Sequence, residues 1–233
     1  MKWQKRDAAP ALIRELAERF GLPLLDASIL ARRGISDPAG LLYFLEDDTR
    51  FLRNPFLFDG MEDAVDRILT AVDEEEKVLV FGDRDADGVT STALMVEALR
   101  SLGIDASYRL PSEDEKYGLS RRAIDEFAAI YGSLIVTVDC GISNHAEIAY
   151  AASLGVDVIV LDHHVLQAEE APPALAVINP KLAASGYPFR DLSGCGVAYK
   201  LYWALRFARS GLYKQQIALL NVRPLNDAYL LEA

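Results

Sequence analysis

The chain has 233 residues, with 24 Lys plus Arg against 35 Asp plus Glu, a formal net charge of −11, and a composition that is 51% hydrophobic and 25% charged. That is enough chain for one large or two modest domains; the composition excludes a disordered chain, and the acidic balance argues against wholesale coating of nucleic acid while leaving a local groove open. No apolar run reaches the ~20 residues of a membrane span, the start MKWQKRDAAP lacks the apolar stretch of a signal peptide, and Cys140 and Cys195 are too few for a disulfide scaffold, so a cytoplasmic protein with no membrane partner is expected.

Residues 1–75 are helical in pattern. ALIRELAERFG places apolar residues at helical spacing and stops at Gly21, with Pro23 just beyond. DASILARRG carries a second short helix, with Asp26 as candidate cap and Gly34 as terminator. FLRNPFLFDG is broken by Pro55 and is expected to be a connector. MEDAVDRILTAVDEEE is amphipathic, with Ala64, Ile68, Leu69 and Val72 apolar. The expected organisation is an N-terminal helical cap over 1–75 and a second domain over 76–233.

From Lys77 short apolar runs alternate with helical patterns. KVLVFGD, DASYRLP, LIVTVD, VDVIVLD and ALAVINP are expected strands; TSTALMVEALRSLG, SRRAIDEFAAIYG and NHAEIAYAASLG are the intervening helices. Strands apolar on both faces and separated by helices indicate a covered parallel sheet, and right-handed crossovers make it doubly wound. The expected fold class is α/β: a doubly wound, mostly parallel five-stranded sheet with helices on both faces. After Pro180 a glycine-punctuated loop leads to a long helix expected over GVAYKLYWALRFARSGLYKQQIALLN.

Open parallel sheets bind ligands beyond the carboxyl ends of their strands. Three such ends carry unusual residues: Asp83, Arg84, Asp85 and Asp87 after KVLVF, Asp139 after LIVTV, and Asp162-His163-His164 after VDVIVL. Five carboxylates on one sheet edge carry too much negative charge to sit together without cations. Carboxylates suit hard divalent ions, and imidazole shifts the preference towards Mn²⁺, with Mg²⁺ the other candidate. A cluster of this size can hold two ions ~3.5–4 Å apart, the arrangement that serves phosphoryl hydrolysis. Against this, a single strand-end aspartate is more often a helix cap. The Asp-x-Asp-x-Asp-Gly run also opens like a calcium loop, but VTSTALMV continues into an apolar helix without an acidic twelfth-position ligand.

VFGDRDADGVTSTAL, LIVTVDCGIS and VIVLDHH, in that order, resemble motifs I, II and III of the DHH phosphoesterase superfamily. The chain is similar to the amino-terminal part of RecJ-type single-strand-specific exonucleases. Arg32-Arg33-Gly34-Ile35, Tyr117-Gly118-Leu119, Asn179-Pro180 and SGCGVAYKL extend the likeness over nearly the whole chain. The resemblance implies Asp85, Asp87 and Asp139 as metal ligands, with Asp139 bridging two ions and His163 on the second. It implies that Asp162 orients the histidine pair and that His164 contacts the scissile phosphate. Asp83 is a further candidate ligand, because Phe81 stands where many members carry a ligating histidine. Asp227 is the candidate for the fourth-motif aspartate or, equally, a solvated or capping residue. Two departures stand out. PSEDEKYGL replaces an arginine- and glycine-bearing loop, with acids at 113–115 that would repel phosphate. Arg84 replaces an aromatic residue, and is a candidate for substrate contact or for pairing with a carboxylate. Nothing matches the family's second, DHHA1-type domain, so a fragment of a longer protein is expected.

From Lys181 to Arg223 seven basic residues face a single acid, Asp191, with Tyr199, Tyr202, Trp203 and Phe207 interleaved. Cations and rings together suit a single-stranded backbone, although rings at helical spacing are usually core. Ser193, Gly194 and Gly196 open the helix with main-chain N–H groups that could receive a phosphate, a role that the resemblance implies more than the lone Gly-x-Gly does, and Lys200 is a further candidate contact. The resemblance implies a two-metal phosphodiesterase that degrades single-stranded DNA from the 5′ end by metal-hydroxide attack and releases 5′ nucleotides. DNA repair and recombination, with a single-strand-binding protein as partner, is the expected setting. The alternatives are a DHH enzyme acting on short oligoribonucleotides or cyclic dinucleotides, and a catalytically silent module of the same fold.

Overall fold

Residues 4–46, 48–215, 221–225 and 228–232 are described by the computed structural model, in two compact units, Met1–Arg53 and Asn54–Ala233. In the first, α1 (Pro10–Phe20), α2 (Leu24–Arg32) and α3 (Pro38–Leu45) surround Leu16, Ala27, Leu30, Ala31 and Leu41. Gly21, at φ 64°, closes α1 in the left-handed conformation that a side chain disfavours. Asp26 does not cap α2. The helix starts two residues earlier, directly after Pro23, and Asp26 lies in its first turn, where a carboxylate favours the helix through its charge alone. α3 has no counterpart among the expected elements, because PAGLLYFL is too short and too uniformly apolar to show a period. Asp37 caps it, accepting the Gly40 N–H at 2.7 Å.

In the second unit, α4 (Met61–Asp73) buries Met61, Ala64, Val65, Ile68 and Ala71, one stripe at helical spacing. Its sequence groups it with the preceding helices, but it packs on β5 (Ala176–Ile178) and α8 (Gly194–Ala208), so the boundary between compact units falls after Arg53. The sheet holds β1 (Lys77–Phe81), β2 (Asp105–Arg109), β3 (Leu134–Val138), β4 (Asp157–Leu161) and β5, all parallel, in the order β2-β1-β3-β4-β5.

Side-chain alternation decides which helix covers which face. Val78, Val80, Leu134, Val136, Ile159 and Leu161 join a core with α4, α5 (Ala86–Ser101) and α8. Leu79, Phe81, Ile135, Val158 and Val160 join another with α6 (Arg121–Ala128) and α7 (His145–Ser153). Burial of each large apolar side chain contributes roughly 1.5–3 kcal/mol, so both faces resist loss of their helices. With this strand order the connections leave β1 in opposite directions, which opens a crevice between the carboxyl ends of β1 and β3.

One expected element is corrected. The helix drawn through to Asn221 ends at Ala208, and Gly211, at φ 77°, follows in the turn beyond it. Asn221–Leu225 (β6) pairs antiparallel with Ala228–Glu232 (β7). The stretch of that expected helix over residues 216–220 lies outside the described residues. Among the described residues no helix is long and apolar enough to cross a membrane.

Candidate metal centre

The first turn of the site is built by β1 running out into α5. Phe81 is fully buried in the core below, and Asp83, Arg84 and Asp85 occupy the turn above it. Asp85 caps α5, its Oδ1 accepting the Gly88 N–H at 2.9 Å. Gly88 must be glycine, since a Cβ there would lie 2.5 Å from the Asp83 carbonyl oxygen. The capping role leaves Asp85 a second oxygen. Asp83, Asp85 and Asp139 each offer a carboxylate oxygen, all within 4.8 Å of one another. Asp139, His163 and His164 form a second such group, so Asp139 is common to both.

Asp139 follows β3 at φ 58°, strained for a residue with a side chain, and is 1% exposed. Among the described residues its Oδ1 is buried without a hydrogen-bond donor, and it lies 3.1 Å from His163 Nε2. Burial, with Asp87 and Asp85 nearby, pushes its carboxyl up to about 7. A buried carboxylate oxygen that lacks a donor, facing a ring nitrogen and two more carboxylates, is a donor set that fits a divalent cation.

The histidines are held from behind. His163 Nδ1 lies 3.0 Å from the Leu192 carbonyl oxygen, which assigns its proton to Nδ1 and leaves the Nε2 lone pair facing Asp139. Asp162 is fully buried; its Oδ1 accepts the N–H of His163 at 2.7 Å and of His164 at 3.0 Å, and contacts His164 Nδ1 at 2.7 Å. Its Oδ2 accepts the Ile142 N–H at 2.9 Å. Burial alone would push this carboxyl up, but these bonds hold it below the usual range, and the bond to Asp162 raises His164 in turn. Asn179, fully buried, donates to the His164 carbonyl at 2.9 Å. The Tyr117 hydroxyl donates to the Asp139 carbonyl at 3.0 Å and lies 3.2 Å from His164 Nδ1.

Asp87 sits apart from both ligand groups, 3.8 Å from His163 Nε2. Its oxygens accept the N–H of Gly194 at 2.8 Å and of Cys195 at 2.9 Å. Burial would raise its carboxyl, but these main-chain bonds hold it below the usual range. The N–H groups expected to meet a phosphate are therefore engaged within the chain: Gly194 on Asp87, and Gly196 on the Ser193 hydroxyl at 3.1 Å.

Three further expectations change. Lys200 is only 3% exposed and lies over the Tyr187 and Trp203 rings, so it does not face solvent; loss of hydration pushes its ammonium down to about 8. Arg84 is exposed and donates to the Ser112 carbonyl at 3.2 Å rather than pairing with a carboxylate. Glu115 turns inward: it accepts from Arg109 at 2.9 Å, Ser120 at 2.8 Å, and both N–H and hydroxyl of Ser112 at 2.9 Å. Its charge is spent on folding its own loop. Asp227 lies outside the described residues.

Sequence reasoning passed over Asn144, whose side chain holds Leu119 through N–H at 3.1 Å and carbonyl at 3.2 Å and so sets the Tyr117 segment. It also passed over the Leu192 carbonyl. Neither leaves a signal in the sequence, because one contact spans 25 residues and the other is made by main chain.

The DHH family, N-terminal domain, matches residues 77–222. The single-stranded-DNA-specific exonuclease RecJ of Bacillus subtilis (strain 168) is 37% identical over 206 residues, 88% of this chain and 26% of that protein. That of Escherichia coli (strain K12) is 41% identical over 219 residues, 92% of this chain and 38% of that protein. Among solved structures, RecJ in complex with Mn²⁺ from Thermus thermophilus aligns with a TM-score of 0.64 and 31% identity, over 90% of this chain and 29% of that one. The chain thus spans well under half the length of the relatives it matches.

Proposed function

The chain belongs to the DHH family, and from that premise we propose that it is the catalytic portion of a divalent-metal-dependent exonuclease that shortens single-stranded DNA from the 5′ end. One observation carries the reading: Asp139 Oδ1 is buried without a donor at the point shared by two groups of ligand atoms. Asp139, together with Asp83 and Asp85 on one side and His163 on the other, would hold the divalent ions, and Asp87, 3.8 Å from His163 Nε2, would stand on the His163 side. Mn²⁺ suits the mixed carboxylate and imidazole set, and relatives of this chain have been solved with Mn²⁺ and with Mg²⁺. Divalent ions bound there supply neutralisation of the phosphate charge and acidification of water.

The chain's own residues prepare that chemistry. Asp162 fixes both histidines through their main-chain N–H groups and fixes the His164 ring through Nδ1. With Nδ1 on Asp162, His164 is left with its opposite ring edge for a non-bridging phosphate oxygen. The hydrogen bond to Asp162 raises its pKa, which favours a donor at that edge. Tyr117 braces the same ring and the Asp139 main chain. Arg84, exposed on the rim, offers its remaining N–H groups to the strand's phosphates. On this reading the protein works in the cytoplasm in DNA repair and recombination, beside a single-strand-binding protein.

The test is calorimetric titration with Mn²⁺, run beside nucleotide release from a long 5′-labelled single strand and from a dinucleotide. Binding of two ions and mononucleotide release from the long strand is the expected result. Turnover of the dinucleotide alone would replace the reading with an oligonucleotide phosphodiesterase. Binding without turnover would assign substrate grip to a DHHA1-type segment outside these residues. No Mn²⁺ binding would overturn the metal centre.

A further inference from the structure

We propose that residues 192–195, where the loop beyond β5 enters α8, are the positioning device of the metal centre. This rests on the metal reading above and goes beyond it, because it assigns the aim of three separate side chains to one short stretch of main chain.

The Leu192 carbonyl accepts from His163 Nδ1 at 3.0 Å, which turns Nε2 towards Asp139. Gly194 and Cys195 donate their N–H groups to Oδ2 and Oδ1 of Asp87, one to each oxygen, so the plane of that carboxylate is fixed. Ser193 adds a side-chain hydrogen bond to the same group. Gly194 also lies flat against Asp139: a Cβ built there would stand 2.3 Å from Asp139 Oδ1 and 2.7 Å from Cγ. Four consecutive residues thus touch His163, Asp87 and Asp139, which come from three different strand ends.

The partners are far apart in sequence, 107 and 108 residues for the two N–H bonds to Asp87. What brings them together is α8 lying along α5, the helix whose first turn carries Asp87. The packing register of these two helices therefore sets where Asp87 stands relative to Asp139. Ordinary capping does not account for the whole arrangement. Ser193 already caps α8 through the Gly196 N–H, and capping requires neither the flat approach of Gly194 to Asp139 nor the Leu192 bond to His163. Main-chain donors suit this task, since they cannot rotate away and leave no side chain between the carboxylates.

The experiment is Mn²⁺ titration of the full chain, with unbound Mn²⁺ read from its electron paramagnetic resonance signal and folding followed separately by thermal melting. Gly194→Ala forces the Asp139 carboxylate to move and is expected to weaken Mn²⁺ binding about 10- to 100-fold. Ser193→Ala is expected to weaken it about tenfold, and Ser193→Thr, which keeps the hydroxyl, to restore it. If Gly194→Ala does not fold, the Ser193 pair decides alone. Folded variants that lower the melting temperature but bind Mn²⁺ within about twofold of the unsubstituted chain would overturn the positioning role and leave ordinary capping. Failure of the unsubstituted chain to bind Mn²⁺ would overturn the metal reading itself, a distinct outcome.

Discussion

The two ends of the sheet treat their carboxylates in opposite ways. At the amino ends of the strands, Arg67 of α4 joins Glu76, just before β1, to Asp157, the first residue of β4, at 2.7 and 2.6 Å. Ser133, just before β3, donates its hydroxyl to Glu76. A resident guanidinium closes that charge, and Glu76 stays below the usual carboxylate range despite burial. At the carboxyl ends, the ion pairs of the described residues bring no lysine or arginine to Asp83, Asp85, Asp87, Asp139 or Asp162. Histidines and main-chain N–H groups are the partners there, and the Asp139 carboxyl is pushed up to about 7. A carboxylate with a permanent cation holds the fold. One whose cation must come from outside is available for chemistry, at a cost in stability.

The sharpest way to break this contrast is Asp139→Asn. Nuclease activity should fall by at least about a thousandfold, roughly 4 kcal/mol in the barrier, in a single-strand degradation assay. The same substitution should raise the melting temperature of the metal-free chain at pH 8, because it removes a buried charge that has no donor. A lower melting temperature would place Asp139 with the structural carboxylates. Arg67→Ala should do the reverse, costing about 3 kcal/mol in urea unfolding while leaving Mn²⁺ affinity unchanged. Loss of Mn²⁺ binding at full stability would erase the distinction between the two ends.

Glu115 refines the comparison, being an acid at the functional end that is nonetheless paired. The Ser112 N–H outweighs desolvation and, with the Ser120, Ser112 and Arg109 side chains, holds it down to about 2. Its folded value lies below its unfolded one, so its stabilisation is complete above the unfolded pKa of 4.5 and is lost as pH falls towards 2. Glu115→Gln should cost about 2 kcal/mol at neutral pH, because the carboxylate is largely buried and its hydrogen bonds are charge-assisted. It should also flatten the acid limb of the melting curve. The smallest effect belongs to Arg84→Ala, which should lower the salt slope of single-stranded DNA binding by about 0.7 without altering sequence preference. An unchanged slope would remove Arg84 from the substrate path.

Much of this was legible before any coordinates. The runs KVLVF, LIVTV and DVIVL are apolar on both faces, so strand identity and the parallel sheet follow from local sequence. Asp83, Asp85, Asp139, His163 and His164 were legible as neighbours because each follows a strand end, and parallel strands put those ends on one edge. Lys200 was misplaced because a lysine among basic residues looks solvated, while the Tyr187 and Trp203 rings that cover it are supplied by packing. The acids at 113–115 looked repulsive because Arg109 and Ser120 do not announce in sequence that they turn towards Glu115.

Sequence by itself determined the alternation of strands and helices and the residue types presented at each strand end, because both depend on periodicity within a few neighbouring residues. The tertiary structure alone decided which of those residues acquire partners inside the chain. Asp87 is met by Gly194 and Cys195, His163 by Leu192, and Asp139 Oδ1 by no donor among the described residues. Those assignments depend on how α5 and α8 pack together, a long-range fit that hydrophobic pattern permits but does not specify.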